Sequence, residues 1–225
     1  MTIKGKTKII NCAREPEVVD LSNFLNSLGA KIRGAGSSEI IIEGVDCLNG
    51  GQYLPISDRI ILGTYAIADM MCGGKICLSN VNFENCFFLL NKLKNIGCKM
   101  TYKSDKITLI CDKRPKAISK IETRPYPGFP TDLQPQIIAM LSISKGTSCV
   151  VENLFESRFK HIGELKKLGA DIITHDNMAI IKGVNELYGA SLDVCDLRGG
   201  AGMVLAGLVA KGYTTVKDVH HIDRG

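Results

Sequence analysis

The chain has 225 residues, 45% of them hydrophobic and 23% charged, with a formal net charge of +5. That length can bury a real core, which excludes a disordered chain, and the small, dispersed positive charge gives little support to nucleic-acid binding while leaving small anionic substrates open. No apolar run approaches the roughly 18 residues of a membrane span, and the start, Met1-Thr2-Ile3-Lys4, lacks the parts of a signal peptide. The expectation is a soluble cytoplasmic protein with no membrane partner. Nine cysteines without a CxxC pair fit free, buried thiols in a reducing compartment better than a disulfide or zinc framework.

In chain order, Gly5 opens a short apolar strand at KTKIIN, a helix is predicted over 15–28, and KIRG with EIIIEG forms a hairpin. A boundary falls near 51–56, and a helix over 57–71 then runs to Gly73-Gly74. From Gly74 the pattern returns as strand KICLSN, a helix over 83–96, and the hairpin KMTYK with KITLIC. A helix over 131–144 leads to Gly146, the strand TSCVVEN, a helix over 158–168, and the hairpin DIITH with MAIIKG. A last helix over 197–210 leads to Gly212 and the strand YTTVKDV.

The helices before the hairpins close on one signature, LGAKI, IGCKM or LGADI, with Gly29, Gly97 and Gly169 where a helix end needs a left-handed residue. Polar pairs Asp105-Lys106 and Asp176-Asn177 supply hairpin turns, and GVDCLNG at 44–50 echoes GVNELYG at 183–189. A helix-strand-helix-hairpin unit therefore repeats every roughly 66 to 72 residues. The predicted class is α/β (α+β), built from stacked repeats. Because both ends cut a repeat, the chain is expected to be part of a longer protein. Residues 1–56 would be the last unit of one domain and 57–225 most of a second, truncated at its end.

Chemistry concentrates at RPYPGFPTDLQ, 124–134, where a proline-fixed loop delivers Asp132 to a helix N-terminus. Thr131 reads equally as an N-cap, and Asp132 as a favourable first-turn acid. Arg198 stands at the same offset before Gly212 as Asp132 before Gly146. A first-turn cation opposes the helix dipole unless an anionic ligand reverses the sign, and the small residues Gly199 to Gly202 let backbone N–H groups approach one closely. Arg59 shares such a position, which weakens the inference. Arg158 and Arg224 stand at one offset after their glycines, at strand-to-helix corners, where guanidinium forks clamp carboxylate or phosphate oxygens or merely form exposed ion pairs. His161 and His175 read as surface residues, and His220-His221 has no metal partner at ligand spacing. There is no P-loop, dinucleotide fingerprint or serine elbow.

Four long segments, RPYPGFPTDLQ, ENLFESRFKHIGELKKLGADI at 152–172, GVNELYGASLDVCDLRGGAGMVLAGL at 183–208 and HHIDRG at 220–225, resemble the enolpyruvyl transferases of the UDP-N-acetylglucosamine 1-carboxyvinyltransferase type. NCAREPEVVDLSNFLNSLGAKIRGAG at 11–36 is similar to the same enzymes, so the resemblance runs essentially end to end. It implies an inside-out α/β barrel of repeats, here incomplete. It also implies transfer of the enolpyruvyl group of phosphoenolpyruvate to the 3-hydroxyl of UDP-N-acetylglucosamine, with no cofactor and no metal.

By that resemblance Asp132 is the general base. Thr131 and Leu154 contact the UDP-sugar, Leu154 through its backbone. Arg198 and Arg224 bind phosphoenolpyruvate and the phosphate released, with Asp196 and Arg158 beside them. The general acid of such enzymes, commonly a loop cysteine, has no match here, which implies that this chain alone is inactive without the preceding part of the protein. Faces where further units would stack imply swapped or end-to-end dimers. Alternatives are the related shikimate-pathway transferase and a non-catalytic binding module built from the same repeats.

Overall fold

A computed structural model describes residues 1–223. The chain forms two compact units, Met1–Ser57 with Pro125–Pro127, and Asp58–Arg124 with Gly128–Gly225. The first unit runs β1 (Lys6–Ile10), α1 (Pro16–Ser27), β2 (Lys31–Arg33) and β3 (Glu39–Glu43). Its sheet has the order β1-β3-β2, antiparallel throughout, with Ile9 opposite Ile40 and Ile32 opposite Ile42. A small core of Ala30, Ile32 and Ile40 packs under α1 residues Val18 and Leu25.

The second unit begins with α2 (Arg59–Cys72), whose N-cap Asp58 accepts from the N–H groups of Ile60 and Ile61. β4 (Gly74–Leu78), α3 (Phe83–Asn95), β5 (Lys99–Lys103) and β6 (Lys106–Cys111) repeat the earlier pattern, again as an antiparallel sheet in the order β4-β6-β5. Next come β7 (Lys120–Glu122), a 3-10 turn at Thr131–Leu133 and α4 (Gln134–Leu141). β8 (Thr147–Val151), α5 (His161–Lys167), β9 (Asp171–His175) and β10 (Met178–Lys182) form the third copy, with order β7-β8-β10-β9. β11 (Ser191–Asp193), α6 (Leu197–Val209) and β12 (Thr215–Lys217) follow.

Gly29, Gly97 and Gly169, the three helix-closing glycines, adopt φ of 99°, 121° and 93°, a region costly for any residue bearing a Cβ. The core of this unit is centred on α4, which is buried from Gln134 to Leu141. α6 packs directly on it: a Cβ at Gly202 would stand 2.9 Å from the carbonyl oxygen of Pro135, so only glycine permits this approach. A helix buried on all sides takes its stability from packing rather than from amphipathic patterning.

The structure corrects several expectations. The helix expected over 158–168 starts only at His161, and that expected over 131–144 is a 3-10 turn joined to an eight-residue α-helix. β7 and β11 were not foreseen; three residues carry no readable period, and each exists because it pairs in parallel with β8 or β12. Of the nine free cysteines only Cys86, Cys98 and Cys111 are buried, whereas Cys47, Cys72, Cys77 and Cys195 are exposed. His161, expected at the surface, is 3% exposed because it shares the face of α5 that carries the buried Leu165 and Leu168, four and seven residues on.

Candidate functional site

Two local features place the acid. Pro130 holds an extended backbone (φ −71°, ψ 133°) before the 3-10 turn, and neither that turn nor α4 has a side-chain cap. Thr131 is therefore no N-cap: its hydroxyl donates to Glu152 Oε2 at 2.9 Å. With Pro135 in the first turn of α4, one of the orphan N–H groups at the helix start is absent. Asp132 is consequently left for other partners.

Those partners are two arginines. Arg158 Nη2 donates to Asp132 Oδ1 at 2.9 Å, and Arg198 Nη2 donates to Asp132 Oδ2 at 3.0 Å. One carboxylate thus bridges two guanidiniums, one oxygen to each, and all three side chains are partly buried. Coulombic attraction at such separations is weakened by water at the open side, yet it suffices to orient both forks toward one point. Arg158 also lies over the Phe155 ring, 5.0 Å from its centroid, a contact that steadies its plane. Arg198 is steadied from below, since Asp196 Oδ1 accepts from the N–H groups of Arg198 and Gly199, each at 2.9 Å, and so fixes the first turn of α6.

The loop between β8 and α5 completes the arrangement. Beyond Thr131, Glu152 takes the Thr123 hydroxyl at 2.8 Å and the Leu154 and Phe155 N–H groups at 3.0 and 3.3 Å. It is 3% exposed, a buried carboxylate whose oxygens are satisfied by donors. Beside it a cavity of about 830 Å³ is lined by Leu154, Phe155, Arg158 and Lys160 from the loop and by Asp176 and Asn177 from the hairpin turn. His161 lies under the same corner, where burial pushes its imidazole down to about 4 against the opposing pull of Asp196. Its Nε2 has no partner among the described residues.

Of the residues singled out in the sequence, the structure brings together Asp132, Arg158 and Arg198, with Thr131, Leu154 and Asp196 alongside. Arg224 lies outside the described residues. Sequence reasoning missed Glu152. The one signal that could have found it is repeat register, because Glu152 occupies the place that Asn11, Asn80 and Asp218 hold after the glycines opening the other strands. Among the described residues no group of three or more His, Cys, Asp or Glu side chains is placed to hold a metal ion. No helix of the described residues is long and apolar enough to cross a membrane. The arrangement offers paired cations for an anion, with a proton acceptor between them.

Comparison with known proteins adds three findings. A family profile described as EPSP synthase (3-phosphoshikimate 1-carboxyvinyltransferase) matches residues 1–225. Among curated relatives, UDP-N-acetylglucosamine 1-carboxyvinyltransferase 2 of Caldanaerobacter subterraneus subsp. tengcongensis is 50% identical over 98% of this chain and 53% of its own. The UDP-N-acetylglucosamine 1-carboxyvinyltransferase of Thermotoga maritima is 46% identical over 99% of this chain and 53% of its own. The chain thus spans about half the length of the curated relatives it matches. Among solved structures, the enolpyruvyl transferase NikO from Streptomyces tendae aligns with a TM-score of 0.84 at 24% identity, over 100% of this chain and 54% of that one. EPSP synthase from Acinetobacter baumannii aligns at 0.70 and 18%, over 97% and 53%. Both carry the mixed α/β enolpyruvyl transferase fold.

Proposed function

Since the chain belongs to the EPSP synthase family of carboxyvinyltransferases, we propose that it supplies one wall of a UDP-N-acetylglucosamine enolpyruvyl transferase, acting in the cytoplasm in the first committed step of peptidoglycan synthesis. The observation that carries this reading is Asp132 held between Arg158 and Arg198. In the proposed step the sugar 3-hydroxyl oxygen bonds to C2 of phosphoenolpyruvate while its proton passes to Asp132 and a general acid outside this chain protonates C3. The C2–O bond to phosphate then breaks, C3 returns a proton to the conjugate base of that acid, and inorganic phosphate leaves. Arg198 and Arg224 stabilise charge on the phosphate, Arg158 orients it, Thr131 and the Leu154 backbone meet the sugar, and Asp196 holds the Arg198 turn.

Residues 1–56 then form the last repeat of one domain, and 57–225 most of a second, within an inside-out α/β barrel whose other repeats lie on the remainder of the protein. Relatives sharing 46 to 50% identity over nearly the whole of this chain support the UDP-sugar over the shikimate ligand. Thermal unfolding tests this choice. UDP-N-acetylglucosamine should raise the midpoint of the second unit and shikimate 3-phosphate should not. A rise with shikimate 3-phosphate alone would transfer the assignment to the sister enzyme, and no rise with either would remove the sugar site from this chain.

A further inference from the structure

Three of the four strands opened by a repeat glycine end on Asn11, Asn80 or Asp218, and these adopt left-handed φ of 57°, 57° and 54°. Asn and Asp are the non-glycine residues that best tolerate this conformation. The fourth strand ends on Glu152, which keeps an ordinary negative φ. Its carboxylate lies beneath the site, where among the described residues every hydrogen bond made to it comes from a donor: the hydroxyls of Thr123 and Thr131 and the N–H groups of Leu154 and Phe155. A carboxylate bonded in this way can only accept. The single proton of the Thr131 hydroxyl is therefore committed inward, leaving its lone pair for a ligand. The only backbone donor of Leu154 is committed too, leaving its carbonyl. Asp132, a third acceptor, follows Thr131 directly.

We propose that Glu152 sets the hydrogen-bond polarity of this wall, so that Thr131 and Leu154 meet a ligand through acceptor oxygens alone and the site selects a donor-rich pyranose carrying hydroxyl and amide N–H groups. The inference rests on the sugar reading above. Glu152 itself is a positioning residue, acting through Thr131 and Leu154. A ligand presenting only acceptors on that side is rejected because it would leave buried lone pairs facing one another.

The test is the isosteric Glu152→Gln variant of the 225-residue chain. Its amide turns an NH2 toward either Thr131 or the Leu154 N–H, so that one ligand-facing oxygen loses its acceptor role or the loop loses its anchor. Titration with UDP-N-acetylglucosamine should show affinity falling by about tenfold or more, while UDP alone, which lacks the pyranose donors, binds parent and variant alike. Equal loss for UDP would reveal general damage and overturn the proposal, as would affinity for the sugar nucleotide unchanged by the variant.

If Glu152→Gln fails to fold, Thr131→Val and Thr131→Ser replace it. Loss with valine and retention with serine uphold the acceptor role of Thr131 Oγ1, and equal binding by both overturns it. If the parent chain binds no sugar nucleotide, the sugar reading fails. Glu152 is then judged from the Thr131 hydroxyl proton in the NMR spectrum. A slowly exchanging signal displaced in Glu152→Gln keeps the polarity assignment for another donor-bearing ligand, and a rapidly averaged signal overturns it.

Discussion

Two corners of the second unit begin from the same repeat and end differently. After β4 the chain turns at Asn80, and Asn82 caps α3 by accepting from the N–H groups of Glu84 and Asn85, so the helix starts at Phe83. After β8 the equivalent turn holds Glu152, no side chain caps α5, and the helix starts only at His161. The freed segment carries Leu154, Phe155 and Arg158 to the side of Asp132. The same contrast separates α2, whose Asp58 is committed to capping, from α4, whose Asp132 faces two arginines. At the starts of α4 and α5 the missing cap leaves polar side chains available for a ligand, and burial must replace the stability that capping supplies at α2 and α3.

That trade can be broken most forcefully in α4. Ile138 is fully buried, and Ile138→Ala should cost about 2–5 kcal/mol in denaturant unfolding. The exposed Phe87 of α3, truncated to Ala, should change stability by less than about 0.5 kcal/mol. A similar cost at both would show that α4 does not depend on burial.

Next in size is the pH response of His161, whose imidazole burial holds near 4. With the folded value below the unfolded one, the unfolded chain takes up the proton first as pH falls. Stability is therefore intact above about pH 6.5 and declines toward pH 4, by up to about 3 kcal/mol. His161→Gln should flatten that part of the profile, and an unchanged slope would assign it elsewhere.

Smaller again is the capped side of the comparison, where Asp58→Ala or Asn82→Ala should each cost about 1 kcal/mol. The least stability change belongs to Asp132→Asn, because partly exposed ion pairs contribute only about 0–1 kcal/mol. The same substitution should abolish UDP-N-acetylglucosamine binding. A variant that binds normally, or one that unfolds, would each erase the distinction between the two corners.

Much of this was readable in advance because repetition amplifies weak signals. A single KTKIIN or KICLSN is an ambiguous apolar run. Four such runs, each behind a glycine and three of them followed by LGAKI-type closures, fix strand, helix and hairpin together. Asp132 and Arg198 were found by superposing units, and they meet at 3.0 Å. Departures from the repeat were harder to read. Nothing local distinguishes Arg158 in a loop from Arg158 at the start of a helix, since the missing cap is a property of the loop closing on Glu152. His161 stands four and seven residues before the buried Leu165 and Leu168, so it shares the core face of α5, and its polar type is what made it read as a surface residue. β7 and β11 are too short to show a period and depend on partners distant in sequence.

The central proposal is that Arg158 and Arg198 converge on Asp132 as one anion-receiving unit, so that a sugar hydroxyl engaging Asp132 disturbs both guanidiniums. Arginine Nε–H signals, followed by NMR during titration of the chain with UDP-N-acetylglucosamine, test it most directly. Arg114 provides the internal reference, its guanidinium being held by the carbonyl oxygens of Ile143, Ser144 and Val184. The account predicts that the Arg158 and Arg198 signals move together while Arg114 stays still. Stationary signals from the pair, or equal movement of all three, would contradict it.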